Sequence, residues 1–181
     1  MAKVQLLGDK AGVYQLTLDG EPFFIKWSGA GVRAPEIIGF CENYLPWLDK
    51  LTGLAEELDV IAIHTYPVWE YKTVAEAMAY TRENFDAVQS AYPNKQVIIT
   101  EAGWATASNG RGIPPENVGE LFQETYLREL LDWAEEEEIL VYIFEAFDEN
   151  WKGSDHPLEP EKHWGTYRAD RSGKPALSLQ L

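Results

Sequence analysis

An acidic residue and a large aromatic ring follow an apolar stretch in VIITEAGWAT, residues 97–106. Glu101 ends the apolar run, and Trp104 comes three residues later. Polar and aromatic side chains also follow three other apolar runs, as Glu42, Tyr44 and Trp47, as His64, Tyr66 and Trp69, and as Glu145, Asp148, Glu149 and Trp151. Because sites in parallel α/β sheets form at the carboxyl ends of the strands, these side chains are predicted to converge.

Carboxylates that converge with aromatic rings favour glycoside chemistry. A retaining glycosidase uses two carboxyl groups about 5–5.5 Å apart, and aromatic rings stack on sugars and position the bond to be cleaved. The three histidines are scattered without metal-ligand spacing, and neither a phosphate-binding glycine loop nor a G-x-S-x-G elbow is present. No metal or cofactor is therefore predicted. Ordinary capping and loop residues are the alternative interpretation of each strand end.

The surrounding pattern predicts an α/β fold. Apolar runs at residues 36–40, 59–67, 96–101 and 139–147 predict strands, and residues 74–92 and 117–138 have the periodicity of amphipathic helices. Buried strands alternating with helices are typical of a parallel sheet covered on both sides. Residues 13–18 and 23–27 flank the turn signal DGEP and predict an N-terminal hairpin.

Composition limits the classes of partner. The 181 residues are 45% hydrophobic, which predicts a globular chain, and the net charge of −15 argues against nucleic acid and anionic membranes. No run is long enough to span a bilayer and the first residues lack the layout of a signal peptide, so we expect a soluble chain of unknown location. A single cysteine, Cys41, excludes an intramolecular disulfide.

Three motifs carry a resemblance to a known family. HTYPVWE, VIITEAGWAT and YIFEAFDENWKG with the later EKHWGTYRADRSGKPAL resemble the C-terminal half of family 17 glycoside hydrolases, the β-1,3-glucanase and glucanosyltransferase group, over residues 36–177. The resemblance implies a (β/α)8 barrel that cleaves β-glucans with retention. It implies that Glu101 is the nucleophile at the end of the seventh barrel strand, and that Tyr66 borders the cleft from the sixth.

The same resemblance implies further contacts with a β-glucan or an oligosaccharide derived from it. Glu149, Lys152 and Glu161 match acidic and basic positions that would support the nucleophile and bind substrate. Trp104 and Trp151 would contact sugars, and Trp69 is a further candidate for stacking on the substrate.

One family feature is missing from the sequence. The acid/base glutamate of the family follows an asparagine at the end of the fourth strand, whereas Glu42, in CENY, precedes one. Glu42 lies only 59 residues before Glu101. Successive strands are 36 residues apart from Ile63 to Ile99 and 45 residues apart from Ile99 to Phe144. A fourth-strand residue would lie three such units before Glu101, which is roughly twice the observed distance. Glu42 therefore fits a fifth strand and is a candidate substitute for the acid/base.

These spacings predict a truncated TIM barrel of about five strands with an N-terminal β-hairpin. The chain is expected to form one domain, with the hairpin and first strand in residues 1–33 and the equivalents of strands five to eight in residues 36–181. Strands two to four would be absent, as in a shortened or engineered protein. Open strand edges favour association, so a homodimer is expected.

Three functional hypotheses follow from this interpretation. The first is a retaining β-glucan hydrolase or transglycosylase whose activity is weak or lost because the acid/base is missing. The second is a carbohydrate-binding protein that uses the same cleft without cleavage. The third is an engineered half-barrel scaffold without a ligand.

Overall fold

The computed structural model describes strand residues between positions 4 and 22, residues 53, 55 and 58, and residues 60–179. It divides into two compact units, Met1–Ala34 and Pro35–Leu181. The predicted strands at residues 23–27 and 36–40, the candidate acid/base Glu42 and the aromatic residues Tyr44 and Trp47 lie outside the described residues.

The first unit contains an antiparallel sheet of three strands in the order β1-β2-β3. Strand β1 (Val4–Gly8) pairs along the whole of β2 (Tyr14–Leu18), from Val4 opposite Leu18 to Gly8 opposite Tyr14. The short β3 (Glu21–Pro22) pairs with the end of β2. The predicted hairpin did not include β1, because the adjacent Leu6 and Leu7 obscure the alternation that identifies a strand.

The second unit contains a parallel sheet with the strand order β4-β5-β6 and two long helices. The strands are β4 (Val60–Thr65), β5 (Gln96–Ala102) and β6 (Val141–Ile143), and the helices are α1 (Val74–Ala91) and α2 (Glu120–Glu136). Helix α1 begins after Thr73, whose backbone N–H donates to Glu76 Oε2 at 2.9 Å as in a capping box. The predicted α/β class is therefore confirmed in this coarse form.

One face of the parallel sheet forms the core with both helices. Alternate strand residues Ile61, Ile63, Val97 and Ile99 are buried in the same cluster as the apolar stripes of the helices. The helix residues in this cluster are Ala77, Met78, Phe85 and Val88 from α1, and Tyr126, Leu127, Leu130 and Trp133 from α2. Every second residue of the strands therefore packs against the apolar stripes of the two helices in one core layer.

The described residues cover only one face of the parallel sheet. Val60 is 37% exposed, Tyr142 is 49% exposed, and Ala62 is also exposed. In β4 the buried positions alternate with these exposed or half-buried ones. The apolar runs of the strands therefore supply one face that packs against the helices and a second apolar face that the described residues do not cover.

Strand β6 is also shorter than the predicted strand at residues 139–147. Phe144 N still donates to Ala102 O of β5 at 2.8 Å, and the residues after Phe144 pair with the segment near Gly165 instead. Thr166 N donates to Glu145 O at 2.9 Å, and Tyr167 N donates to Ala146 O at 2.8 Å. Because these bonds satisfy the backbone, residues 145–147 need no neighbouring strand.

Candidate active site

Glu101 lies at the carboxyl end of β5, and two side chains from the neighbouring strand end hold its carboxylate. The parallel register places His64 opposite Glu101. The Tyr66 hydroxyl donates to Glu101 Oε2 at 2.5 Å, and His64 Nδ1 lies 3.3 Å from the same oxygen. The Glu101 side chain is 29% exposed, so it is fixed in place and still accessible.

The charge state of His64 follows from its surroundings. Burial lowers the pKa of His64, and the negative charge of Glu101 opposes that shift without reversing it. A neutral imidazole can donate one hydrogen bond and accept another. Beside Glu101, the side chain of His64 is therefore suited to orienting the carboxylate without neutralising it.

Aromatic rings form the wall next to Glu101. The ring of Tyr66 meets Phe144 edge-to-face at a centroid distance of 5.7 Å and Trp164 at 5.0 Å. Trp69 lies 6.0 Å from the buried Trp164. This packing fixes the ring of Tyr66, and with it the hydroxyl that holds Glu101.

A second charged cluster lies on the other side of Phe144. Lys152 Nζ is 2.7 Å from Glu145 Oε2 and 2.7 Å from Glu149 Oε2. The same ammonium group lies 4.5 Å from the centroid of the Phe144 ring, within the range of a cation–π contact. Phe144 therefore contacts both the ring of Tyr66 and the Lys152 ammonium.

The charge of Glu161 interacts with Glu101 and with the Lys152 cluster. Burial raises the pKa of Glu161, the charge of Lys152 lowers it, and the charges of Glu159 and Glu101 raise it again. The pKa of Glu161 is raised overall. Glu161 therefore lies close enough to interact with both Glu101 and Lys152.

The aromatic residues expected to bind sugar differ in accessibility. Trp104 is fully buried, donates from Nε1 to Asn117 O at 2.9 Å and packs against Tyr126. It therefore presents no surface to a ligand in this conformation and serves as a core residue. Trp151 is 76% exposed and lies in the turn between Glu149 and Lys152, whereas Trp69 is partly buried.

Sequence reasoning did not assign Phe144 or Trp164 to the site, whereas Glu145 was among the strand-end residues predicted to converge. Phe144 and Trp164 form the wall behind Tyr66, and Glu145 binds Lys152. One signal for Glu145 was available, because it interrupts the otherwise apolar YIFEAF. An acidic residue inside such a run requires a partner, which here is Lys152.

Gly103 allows the close approach of two strand ends at the site. A Cβ atom at this position would lie 2.0 Å from the carbonyl oxygen of Phe144. We expect Gly103→Ala to lower the free energy of unfolding by at least about 2 kcal/mol, because the backbone cannot yield as a flexible side chain would. Urea denaturation measures the change.

Gly53→Ala is the matched control, since a Cβ there meets no atom within 4 Å. Its free energy of unfolding is expected to stay within about 1 kcal/mol of the wild type. Equal effects of the two substitutions would contradict the close approach at Gly103.

Neither a cluster of metal ligands nor a membrane-spanning helix occurs in the part of the chain that the structure describes. No group of three or more histidine, cysteine or acidic side chains there has the arrangement of a metal site. No helix in this part of the chain combines the length and apolar character needed to cross a membrane.

Comparison with protein families gives a match to the BtgE/BtgC glycoside hydrolase domain over residues 27–165. The chain belongs to this family. The resemblance to the β-1,3-glucanase and glucanosyltransferase group of family 17 glycoside hydrolases is thereby confirmed, with partial coverage of the domain.

Curated relatives of this family 17 chain come from fungi. A glucan 1,3-beta-glucosidase of Candida albicans is 30% identical over 136 residues, which cover 68% of this chain and 42% of that protein. A glucan 1,3-beta-glucosidase of Arthroderma benhamiae is 26% identical over 154 residues, covering 76% and 48%. The chain thus spans less than half the length of these relatives.

Solved structures of family 17 proteins share the fold in part. The beta-1,3-glucanosyltransferase from Rhizomucor miehei is 25% identical with a TM-score of 0.59, covering 81% of this chain and 58% of that one. An endo-laminarinase from Formosa is 25% identical with a TM-score of 0.64, covering 75% and 42%. An active-site mutant of the Rhizomucor enzyme, 24% identical with a TM-score of 0.60, is in complex with laminaritriose.

Proposed function

We propose that this chain carries the nucleophile half of a retaining β-1,3-glucan hydrolase or transglycosylase, with Glu101 as the nucleophile. The observation that carries the proposal is the position of the Glu101 carboxylate, which accepts a hydrogen bond from the Tyr66 hydroxyl at 2.5 Å and lies 3.3 Å from His64 Nδ1. The names of the fungal relatives support the substrate class.

The proposed reaction has two steps. An oxygen of Glu101 attacks the anomeric carbon, the glycosidic bond breaks, and the leaving oxygen takes a proton from an acid. Water or a sugar hydroxyl then attacks the same carbon, loses its proton to a base and releases Glu101. Water as acceptor gives hydrolysis, and a sugar hydroxyl gives transglycosylation.

The sugar-binding surface is proposed to lie along the same edge of the sheet. Tyr66 and Trp69 border Glu101, and the exposed ring of Trp151 is available for stacking. Lys152 and the acids Glu149 and Glu161 would bind hydroxyl groups and support the nucleophile. A laminaritriose complex of the Rhizomucor relative supports oligosaccharides of this type as ligands.

We further propose that β4, β5 and β6 correspond to the sixth, seventh and eighth strands of a barrel, and that the preceding residues supply the first and fifth. The proposed division into residues 1–33 and 36–181 within one domain belongs to the same account. In it, the acid/base is Glu42 or is supplied from outside this chain. Natural glucan turnover is then weaker than that of an activated aryl glycoside, which needs no proton donor.

The direct test incubates the chain with an aryl β-glucoside that has a good leaving group, and separately with laminaritriose. We expect rapid release of the aryl group, and saturable quenching of tryptophan fluorescence by laminaritriose. Quenching without aryl release would instead support the carbohydrate-binding hypothesis, which the exposure of Trp151 favours. The absence of both signals would contradict the proposed site.

Tyr66→Phe tests the hydrogen bond that positions the proposed nucleophile Glu101. The substitution keeps the ring contacts with Phe144 and Trp164 and removes only the hydroxyl that donates to Glu101. We expect aryl release to slow roughly tenfold or more, because a hydrogen bond to a charged group is lost, and the protein to stay folded with a small decrease in melting temperature. Tyr80→Phe on α1 is the control, and an equal loss of rate in it would contradict the role of Tyr66.

A further inference from the structure

We propose that Glu145 is a positioning residue of the candidate site, which holds the Lys152 ammonium group in place for a bound oligosaccharide. The inference rests on the proposed function, since it assigns Lys152 to the sugar-binding surface. It gives Glu145, one of the strand-end residues predicted to converge, a specific role that the proposed chemistry does not require.

Glu145 differs from Glu149, the other acid that binds Lys152, in lying outside the turn that carries Lys152. The Glu145 N–H donates to Trp164 O at 3.4 Å, and its carbonyl accepts from Thr166 N at 2.9 Å. Glu149 and Lys152 instead belong to one turn, in which Lys152 N donates to Glu149 O at 3.0 Å. The contact of 2.7 Å between Lys152 Nζ and Glu145 Oε2 therefore ties this turn to the strand end beside the site.

Glu145 acts through Lys152 because its own carboxylate is turned inward. The side chain is only 16% exposed, and its Oε1 atom is buried without a hydrogen-bond partner among the described residues. Lys152 holds the charge between Glu145, Glu149 and the face of Phe144. The Lys152 side chain is 19% exposed, and its ammonium group is the part proposed to contact the ligand.

The arrangement should respond to pH near neutrality. Burial raises the pKa of Glu145, the hydrogen bond and charge of Lys152 oppose this, and Glu149 raises it again, to about 7 in all. Burial lowers the pKa of Lys152, but its two carboxylate partners raise it overall, so Lys152 keeps its charge. Glu161 is a further acid whose charge interacts with Lys152.

Protonation of Glu145 therefore changes how Lys152 is held. Above the Glu145 pKa two carboxylates hold the ammonium group, and below it Glu149 alone keeps a full ionic contact. We expect laminaritriose affinity to fall roughly tenfold as pH decreases through neutrality, because one charged hydrogen bond that orients Lys152 is weakened.

Glu145→Gln removes the charge and keeps the size of the side chain. Laminaritriose affinity is measured by tryptophan fluorescence between about pH 6 and pH 8, where Glu145 titrates and ordinary carboxyl groups stay ionised. We expect the variant to bind with about the weak affinity of the acidic wild type and to lose the part of the pH profile that Glu145 contributes. Only the contributions of His64, His163 and Glu161 should then remain. Glu129→Gln, an exposed position on α2, is the matched control and should keep the wild-type pH profile.

A second readout follows the Lys152 side chain itself. Its Cε resonance should shift across the same pH range in the wild type and in Glu129→Gln, but not in Glu145→Gln. A wild-type affinity profile retained by Glu145→Gln would overturn the proposal, as would a Lys152 resonance that titrates identically in all three proteins.

Failure of the proposed function has a different signature. The wild type itself would then bind no laminaritriose, although Lys152 would still respond to Glu145. That result would overturn the positioning role and leave Glu145 and Lys152 as a structural ion pair.

Discussion

Glu101→Gln is expected to lower the rate of aryl release from an activated β-glucoside by at least about 10³-fold, since loss of a catalytic nucleophile removes the covalent route. The substitution keeps the size of the side chain, and glutamine can still accept the Tyr66 hydroxyl bond at Oε1. Binding of laminaritriose should therefore change far less than turnover. Initial rates and fluorescence titrations on the same preparation separate the two effects.

Glu129→Gln on the exposed side of α2 serves as the control, because it removes the same charge far from the proposed chemistry. Its rate should match the wild type within about twofold, as expected for an exposed surface charge. An active Glu101→Gln protein would contradict the assignment of the nucleophile. A parallel loss of binding and turnover would indicate a binding role for Glu101 instead.

The largest expected effect on stability comes from a buried ion pair behind the site. Lys174 Nζ lies 2.7 Å from Asp148 Oδ1 and donates to Thr106 Oγ1 at 2.8 Å. The Lys174 side chain is 1% exposed and that of Asp148 is 9% exposed. Asp148 Oδ1 also accepts from Gly165 N at 2.9 Å, so the pair connects three separate segments of the chain.

Lys174→Met is expected to lower the free energy of unfolding by about 3–5 kcal/mol, because it removes the buried ammonium group paired with Asp148 and leaves His163 as the remaining cationic partner of that carboxylate. The double variant Asp148→Asn with Lys174→Met should lose less than the single variant, since no unpaired charge remains. Urea denaturation at neutral pH measures both proteins. Arg128→Met, at an exposed ion pair on α2, is the control and should change stability by less than about 1 kcal/mol.

Acid should weaken the same pair. Burial raises the pKa of Asp148, but hydrogen bonds and charges from His163 and Lys174 outweigh it, so the pKa lies below its usual range. A carboxyl group with a depressed pKa in the folded state contributes stability above its unfolded pKa, and this stability is lost as pH falls through the folded pKa.

For the substitutions at this ion pair, a double variant that is less stable than Lys174→Met would contradict the account.

The elements that position Glu101 could be predicted because local patterns specify them. The stripe of Met78, Phe85 and Val88 identified α1, and the run before Glu101 identified β5. Both patterns follow from burial of one side of an element, which sequence periodicity records directly. The nearness of Tyr66 to Glu101 followed from the rule that parallel strands end at one edge.

Features that depend on long-range contacts could not be predicted. Strand β6 ends at Ile143 because residues 164–167 supply hydrogen bonds to the following segment, which no local pattern records. Trp104 is indistinguishable in sequence from a ligand-binding ring, and its burial depends on Tyr126 and Asn117. The pairing of Glu145 with Lys152 depends in the same way on the turn between them.

The predicted homodimer, the missing strands two to four and the acid/base role of Glu42 stay predictions. Each concerns surfaces or residues beyond the described part of the chain. They bear on how efficiently natural glucan is cleaved, whereas the role of Glu101 depends on β4, β5 and the side chains of His64 and Tyr66.

Covalent trapping tests the central claim most directly. The chain is incubated with a fluorinated aryl β-glucoside, whose glycosyl-enzyme intermediate hydrolyses slowly, and the intact and digested protein are analysed by mass spectrometry. We predict the mass of one added glycosyl group, located on Glu101. An adduct on a different carboxylate such as Glu161, or no adduct despite release of the aryl group, would contradict Glu101 as the nucleophile.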